Sequence, residues 1–247
     1  VQARNDFAEN LSNIAHQIKS IKSLDFQLPR LKMDISINSV TVFPEGHCAF
    51  MAVLFEHKNQ VRDGYKYLAK SVSLVIDIGA GTSDICVIEN GKTLINTRFT
   101  TEIGGNNIHK KVGNMLKAEG IKLYDSDVRE GVVKGYVHDG AKRVSIVKKI
   151  ALAKQQVANQ LVQEIQSFFE DTGYLPQRIA NLLVVGGGAE LSENEKIVPM
   201  SKYITHFMKS LSPNIEDIPY PVEVVDGERK TIPPRLLNIY GAMILAE

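Results

Sequence analysis

Short apolar runs rich in Val and Ile recur along the chain and are bounded by turn residues, a pattern that predicts β-strands. The runs at 73–78 and 85–89 are separated by a short glycine-containing turn, so they are predicted to form a hairpin. The Asn90-Gly91 pair that follows is a turn signal, which predicts that residues 93–99 return as a third antiparallel strand. The three strands together would form a meander.

Other stretches carry apolar residues at helical spacing, which predicts amphipathic helices. These stretches are the first twenty or so residues, residues 48–55, the segment after Gly104-Gly105 and the long segment from 144 to about 169. Residues 125–139 contain two glycines and no sustained period, so this segment is predicted to be a mobile excursion. A final strand at 222–225 and a C-terminal helix within 232–247 complete a pattern typical of an α/β fold.

The turn of the predicted hairpin combines glycines with hydroxyl and carboxylate side chains. Residues 74–89 read L-V-I-D-I-G-A-G-T-S-D-I-C-V-I-E. Glycine can take backbone angles that are closed to other residues, so consecutive N–H groups can converge on an anion, and hydroxyls can donate to the same oxygens. The turn therefore predicts a phosphate-binding loop made by Gly79, Ala80, Gly81, Thr82, Ser83 and Asp84. An ordinary tight hairpin is the alternative interpretation.

Two better-known phosphate loops do not fit this turn. A dinucleotide fingerprint or a Walker loop runs from a strand into a helix and uses the helix N-terminus to hold phosphate. Here the turn joins two strands, and no Gly-Lys-Ser/Thr ending is present. Asp77, at the end of the incoming strand, would lie beside a bound phosphate, where a carboxylate is tolerable if it holds a hard cation or orients a water. Asp84 could serve the same cation from the far side.

A second glycine cluster follows another apolar run. Residues 181–191 read N-L-L-V-V-G-G-G-A-E-L, which predicts a strand that ends in three glycines and leads into a helix. Such a turn lets the backbone approach a flat or bulky group of a ligand. A simple loop without a ligand is the alternative interpretation. Together the two glycine clusters resemble those of the actin, heat-shock chaperone and sugar kinase ATPase superfamily.

This resemblance implies how ATP would be held. The hairpin would bind the β and γ phosphates, and the second cluster, with Gly186, Gly187, Gly188 and Leu191, would bind adenosine. The two clusters would clasp opposite ends of one ATP molecule across an interdomain cleft. Mg²⁺ would be held by Asp77 and, through water, by Asp84.

Two further residues take roles from the same resemblance. Residues 39–52, S-V-T-V-F-P-E-G-H-C-A-F-M-A, resemble the family's strand that leads to an acidic residue and a helix, so Glu45 would act with Asp77 to position the attacking water. Complementing a helix dipole is the alternative role for Glu45. Lys154 lies in a run that resembles the place where chaperone members contact ribose and adenine. The acidic residue expected one turn earlier is replaced by Ala151.

The resemblance implies an actin-like ATPase (ribonuclease H-like) fold with two lobes. Residues 1–72 would be the remainder of the first lobe, residues 73–230 the second lobe, and residues 231–247 a hinge helix that returns to the first lobe. Nothing in Val1 to Asp34 matches the strand pair that begins superfamily members. The N-terminal part of the first lobe is therefore expected to be missing from this chain.

The chain looks most like plasmid-segregating actins of the ParM and StbA type. That resemblance implies a protein that binds ATP, ADP and Mg²⁺, polymerises with its own copies and works with a DNA-binding adaptor protein. Two alternatives stay open at this point. One is a non-polymerising scaffold of the cell-division or pilus-assembly kind, and the other is a small-molecule kinase of the same superfamily.

Composition narrows the functional classes. A formal charge of +1, with 44% hydrophobic and 23% charged residues, is typical of a globular protein and gives no footprint for direct nucleic-acid binding. Cys48 and Cys86 lie in apolar sequence, which favours buried, reduced thiols. No apolar run approaches the ~20 residues that span a bilayer, so we expect a cytoplasmic protein without membrane contact. The histidines are too scattered for metal-ligand spacing.

Overall fold

The computed structural model describes residues 13, 24–28, 31–35, 43–57, 60–190, 196–225 and 228–246. The chain divides into two compact units, residues 1–44 and residues 45–245. In the first unit, strands β1 (Leu24–Leu28) and β2 (Leu31–Ile35) form an antiparallel hairpin. The amphipathic helix predicted for the first twenty or so residues lies outside the described residues, apart from Asn13.

The second unit contains the remaining elements in α/β order. In chain order they are α1 (Glu45–Leu54), β3 (Phe55–His57), β4 (Gln60–Val61), β5 (Val72–Ile78), β6 (Ser83–Glu89), β7 (Lys92–Thr93), β8 (Phe99–Thr101), α2 (Gly105–Ala118), α3 (Asp125–Lys134), β9 (Tyr136–Asp139), β10 (Lys142–Ser145), α4 (Val147–Thr172), β11 (Asn181–Val185), α5 (Gly187–Glu190), α6 (Met200–Met208), β12 (Glu216–Asp217), β13 (Val222–Val225), β14 (Glu228–Thr231) and α7 (Leu237–Ala246).

A six-stranded sheet organises this unit, with the strand order β12-β11-β5-β6-β7 and with β8 also paired to β6. The predicted hairpin is confirmed, because β5 and β6 pair antiparallel with Asp77 opposite Asp84. β11 runs parallel to β5 and places Val185 beside Asp77. The predicted glycine clusters therefore follow neighbouring strands, at the same end of the sheet.

Helices cover both faces of the sheet. Alternate side chains of β5, such as Leu74 and Ile76, pack with α2, α4 and α6, whereas Val75 packs with residues of α1 and α7. This burial on both faces explains why the central strands read as nearly continuous apolar runs. The arrangement is a three-layer α/β/α sandwich.

Close backbone contacts fix α1 and α7 on their shared face of the sheet. Gly46 faces the Cys86 sulfur, which would lie 2.8 Å from a Cβ at that position. Gly241 packs directly on the backbone of Cys48, leaving no room for any side chain. The small residues at these crossings are therefore required for α1 and α7 to approach the sheet and each other.

Two predictions about local structure are corrected. Residues 93–99 do not form one strand, because a 3-10 turn at Ile95–Thr97 separates β7 from β8. There the Thr97 hydroxyl accepts the Val87 N–H, at 3.0 Å, in place of a strand carbonyl. The segment 125–139, predicted to be a mobile excursion without a sustained period, instead forms α3 and β9.

The other elements agree with the sequence pattern. The long helix predicted from 144 to about 169 is α4, the strand at 222–225 is β13, and the C-terminal helix is α7. No helix in the described part of the chain is long and apolar enough to cross a membrane. The lobe boundaries at residues 72 and 230 stay predictions.

Candidate functional site

The two glycine clusters meet at one end of the sheet. Gly186 directly follows β11 with a φ of 88° and lies against Asp77 and Ile78 at the end of β5. A Cβ at Gly188 would lie 2.8 Å from the Ile78 carbonyl oxygen and 3.0 Å from that of Gly79. Both clusters, expected in the same lobe, pack together on neighbouring strands of one unit; their binding of one ATP in an interdomain cleft stays a prediction. Parallel strands bring their carboxyl ends to the same edge, which is the physical reason for this placement.

The hairpin turn leaves several N–H groups open. The Gly79 N–H donates to the Thr82 carbonyl at 2.9 Å and closes the turn. In the described part of the chain, the N–H groups of Ala80, Gly81 and Thr82 donate to no protein acceptor, and all three residues are exposed. Three successive open amides are what an anion-binding turn requires.

The start of α2 orients this turn. The Gly105 N–H donates to the Gly79 carbonyl at 2.9 Å, and the Asn106 N–H donates to the Ala80 carbonyl at 2.7 Å. Because a trans peptide unit points its C=O and N–H in opposite directions, the N–H groups of Ala80 and Gly81 point away from α2. The helix N-terminus thus binds the hairpin itself and aims two amides at the open side.

The reason for each glycine in the turn differs from the expectation. Neither Gly79 nor Gly81 has a positive φ, so unusual backbone angles are not the reason for either residue. A Cβ at Gly79 would lie 3.2 Å from the Thr82 carbonyl oxygen, a tight contact. Nothing lies within 4 Å of the position of a Cβ at Gly81. The fold of the described residues therefore does not require glycine at 81, which leaves close approach by a ligand as its physical use.

The two hydroxyls of the turn have different surroundings. Thr82 is exposed at the turn, as a ligand-binding hydroxyl would be. Ser83 is fully buried, and its hydroxyl donates to the Ile103 carbonyl at 2.5 Å. Ser83 therefore connects the hairpin to the segment before α2. Its one hydroxyl proton is already in this hydrogen bond and is not free to donate to a phosphate.

Three carboxylates collect on the α1 side of this sheet edge. Burial raises the pKa of Asp77, and the charge of Asp84 adds to this shift. Burial also raises the pKa of Glu45, the first residue of α1, and the charges of Asp77 and Asp84 add to it. The Asp84 carboxylate accepts a hydrogen bond from the Thr100 hydroxyl. Mutual repulsion among these groups makes the edge receptive to a cation.

Asn238 is a member of the site that the sequence interpretation missed. This residue lies in the first turn of α7, and its side-chain amide donates to the Asp77 carboxylate. This hydrogen bond opposes the rise in the pKa of Asp77. The one signal in the sequence was a polar residue within the apolar run L-N-I-Y-G-A-M-I-L-A, 161 positions from its partner.

Lys154 and Leu191 are not joined to the glycine turns by any described contact. Lys154 is fully buried, its ammonium donates to the Val198 carbonyl at 3.1 Å, and burial lowers its pKa to about 8. Leu191 lies outside the described residues. Their predicted roles toward ribose and adenine stay predictions.

The carboxylates at this edge suit a cation that takes most of its ligands from water and from substrate phosphates. Among the described residues, no group of three or more His, Cys, Asp or Glu side chains is placed to hold a metal ion. Mg²⁺ usually keeps several waters and binds through one or two carboxylates plus substrate phosphates. Asp77 and Asp84 are therefore protein ligands of the right type and number for Mg²⁺.

Both cysteines are buried free thiols, and burial raises the pKa of Cys48 to about 11 and that of Cys86 to about 12.

Comparison with protein families identifies what this arrangement is similar to. Residues 75–195 match the family described as archaeal actin homologue MreB-like, C-terminal. This range contains the hairpin turn and the whole segment 181–191 of the second glycine cluster. A comparison with curated proteins found no match.

Several solved structures share this fold. The archaeal actin homologue Ta0583 in complex with ADP superposes with a TM-score of 0.64 at 17% identity, over 91% of this chain and 63% of that one. A 15-stranded ParM filament from Clostridium botulinum gives 0.60 at 15% identity, over 96% and 62%. ParM from Bacillus thuringiensis with ATP gives 0.53 at 16% identity, over 88% and 58%.

These matches confirm the predicted actin-like fold. The chain spans less than two thirds of the length of each of these structures.

Proposed function

Because the chain has the actin-like fold and residues 75–195 match archaeal MreB-like actin homologues, we propose that it binds and hydrolyses ATP and assembles into filaments of its own copies. One observation carries the proposal. The open hairpin turn at 79–82 packs against Gly186 and Gly188 at the end of the sheet where Asp77 and Asp84 also lie.

The hairpin would take the phosphate end of the nucleotide. The amides of Ala80 and Gly81 point to the same open side, and Thr82 adds an exposed hydroxyl. The absence of a side chain at Gly81 lets a phosphate oxygen reach these donors. Backbone amides of this kind are a recurrent way to bind phosphate.

The second glycine cluster would accept the adenosine end. Gly187 is exposed, and nothing lies within 4 Å of the position of a Cβ there, so its open surface can accept a flat group. Gly186 and Gly188 are buried against β5, where they hold this surface beside the hairpin. Their contact fixes the spacing between the two halves of the site.

Glu45 would position the attacking water. Its raised pKa makes its carboxylate a stronger proton acceptor than an ordinary glutamate. Asp77 is held in place by Asn238 and would orient the cation-bound waters together with Asp84. Mg²⁺, when bound with the nucleotide, supplies charge neutralisation at the phosphates. In this mechanism the protein contributes positioning and electrostatic stabilisation.

Filament formation is supported by the likeness to the fold of a solved ParM filament. We extend the proposal to plasmid DNA segregation with a DNA-binding adaptor, on the resemblance to the ParM and StbA type. A non-polymerising scaffold or a small-molecule kinase would keep the nucleotide site and lack the assembly.

Nucleotide binding is tested by calorimetric titration of ADP with Mg²⁺ into the wild-type protein, Gly81→Ala and Gly113→Ala. Gly81→Ala fits the fold and adds a methyl group to the residue that carries one of the open amides, so we expect affinity to fall at least about tenfold. Gly113→Ala is the matched control, because its Cβ would make only ordinary contacts with Val128, at 3.8 Å. Equal affinity for all three proteins would remove the hairpin from the phosphate site.

Filament formation is tested by light scattering and pelleting after ATP addition. We expect ATP-dependent assembly, with slower turnover and longer-lived assemblies in Glu45→Gln, which keeps the side-chain shape and removes the proton acceptor. Nucleotide binding without assembly would favour the scaffold alternative. ADP release that depends on an added sugar or acid would favour the kinase alternative.

A further inference from the structure

A groove between α2 and α3 lies outside the proposed nucleotide site. The groove is a cavity of about 620 Å³ whose polar lining includes Asn106, His109, Lys110, Lys117, Lys122 and Arg129. None of these residues belongs to the hairpin turn or to the second glycine cluster. Ligand pockets in proteins commonly measure about 300–1,000 Å³, so the groove is large enough for a small molecule.

The groove concentrates positive charge. Lys110, Lys117, Lys122 and Arg129 contribute four cations, whereas Asp125 is the carboxylate among the lining residues. The whole chain has a formal charge of only +1, so this concentration does not reflect the average composition. Within the described part of the molecule, none of the four cations forms a salt bridge with a carboxylate. Four cations around one concave surface create a positive potential that attracts an anion.

His109 adds an unsatisfied polar group to this lining. Both of its ring nitrogens are buried, and neither has a hydrogen-bond partner among the described residues. Burial and the nearby Arg129 charge lower the pKa of His109, so the ring is neutral at pH 7, with one donor and one acceptor nitrogen. A buried unpaired donor costs stability, so a bound acceptor that His109 reaches by a side-chain rotation would be favoured.

We propose that the groove between α2 and α3 binds a small ligand that carries a phosphate group, at a site separate from the hairpin. Three observations carry this inference: the cavity's size, four cations without carboxylate partners, and the orphaned His109. Phosphate is favoured over a single carboxylate because it has more charge and more acceptor oxygens for several cations at once. Arg129 can bind two phosphate oxygens with its planar fork, while the lysines act as point charges.

Two probes distinguish a free phosphate from a phosphorylated small molecule. Inorganic phosphate and glucose 6-phosphate are titrated into the isotope-labelled chain, and the side-chain signals of His109 and the amides of α2 and α3 are followed by NMR. We expect saturable shifts of the groove signals, with glucose 6-phosphate the tighter ligand if the cavity also holds the organic part. Tighter binding of inorganic phosphate would still support the site and assign it to the free ion.

Variants connect the binding to the groove. Lys117→Gln and Arg129→Gln remove one cation each from exposed positions, and we expect each to weaken binding at least about fivefold. Lys148→Gln is the matched control, because Lys148 is an exposed lysine on α4 that does not line the groove. Gly81→Ala should leave this binding unchanged, which separates the groove from the nucleotide site even if ATP binding fails.

Several results would overturn the proposal. The first is the absence of saturable shifts with either probe up to about 10 mM. The second is an equal loss of binding in Lys148→Gln, which would indicate nonspecific charge attraction. The third is citrate binding as tightly as glucose 6-phosphate, which would assign the groove to carboxylates. Tighter binding of a single-stranded DNA oligonucleotide, lost in Lys117→Gln, would assign it to a polymer instead.

Discussion

Gly186 packs so closely on the Asp77 carboxylate that a Cβ at position 186 would overlap with Oδ1 of Asp77. Gly186 directly follows one strand of the sheet, and Asp77 lies near the end of the parallel neighbouring strand. This contact joins the segment assigned to adenosine with the segment assigned to phosphate and Mg²⁺. The two halves of the proposed site are therefore one structural unit, and a substitution in either half should alter the structure of the other.

Gly186→Ala should destabilise the fold as well as the site. Gly186 has a φ of 88°, which an alanine rarely adopts, and the new methyl group would also approach the Ile78 carbonyl oxygen to 2.5 Å. We expect the free energy of unfolding to fall by at least about 2 kcal/mol, measured by urea denaturation.

Gly187→Ala is the matched control for that change. It is the next residue along the chain, but it has no positive φ and no neighbour within 4 Å of the position of its Cβ. Its stability should stay within about 0.5 kcal/mol of wild type, while ADP affinity falls. A similar loss of stability in both variants would contradict the assigned contact.

Asp77→Asn should raise stability while abolishing the cation site. Asp77 is buried with a raised pKa, so its charged form is disfavoured in the fold, and a neutral amide can still hydrogen-bond with Asn238. At pH 7 we expect the free energy of unfolding to rise by about 1 kcal/mol, measured in the absence of nucleotide.

The contribution of Asp77 to the stability of the wild-type protein depends on pH with a defined sign. Just above pH 3.8, the ordinary pKa of an aspartate side chain, the folded protein holds a proton on Asp77 that the unfolded chain has released. Stability therefore falls as pH rises through the folded pKa of Asp77, and the loss is complete above it. Asp77→Asn should flatten this part of the wild-type profile, whereas Glu45→Gln should leave the Asp77 contribution in place. An unchanged slope in Asp77→Asn would show that other groups cause it.

Lys154→Met should be tolerated although it removes a fully buried charge. The lowered pKa of about 8, against 10.5, means that the charged ammonium costs about 3 kcal/mol at pH 7. Methionine keeps the apolar stem, and Val198 is 43% exposed, so water can reach the region that loses its hydrogen bond. We expect stability at pH 7 equal to or above that of wild type, measured by thermal unfolding.

Lys154→Ala provides the contrast, since it leaves a cavity and should cost about 2–5 kcal/mol. Between pH 8 and pH 10.5 the unfolded chain binds more protons at Lys154 than the folded protein, so wild-type stability should rise with pH there. Lys154→Met should lose this rise. A strongly destabilised Lys154→Met would instead indicate that the ammonium has partners that stabilise the fold.

The fold was predictable where local pattern and burial agree. β5, β6 and α4 followed from β-branched runs and helical periodicity, because their apolar faces are buried in the same core. The helix α3 was missed because Gly131 argues against a helix interior. Gly131 is needed there because any side chain would overlap with Val137. Gly135 has a φ of 80° and ends the helix, a signal that the sequence does contain.

The site was predictable as a set of residues but not as an arrangement. The glycine clusters were visible as motifs, whereas their direct contact depends on the parallel pairing of β5 with β11 across 100 or so intervening residues. The buried hydrogen bond of Ser83 and the support of Asp77 by Asn238 arise from tertiary contacts that no local pattern specifies. For the same reason the composition of the chain did not predict the cationic groove.

The central claim is that the hairpin turn and the second glycine cluster bind one nucleotide. Its most direct measurement is an NMR titration of ADP with Mg²⁺ that follows the amides of Ala80, Gly81 and Thr82 together with those of Gly186 to Gly188. The Gly173 amide, at the end of α4, serves as an internal control. The account predicts that both sets shift with the same Kd while the Gly173 signal stays in place. A shift in only one set, or no shift in either, would contradict it.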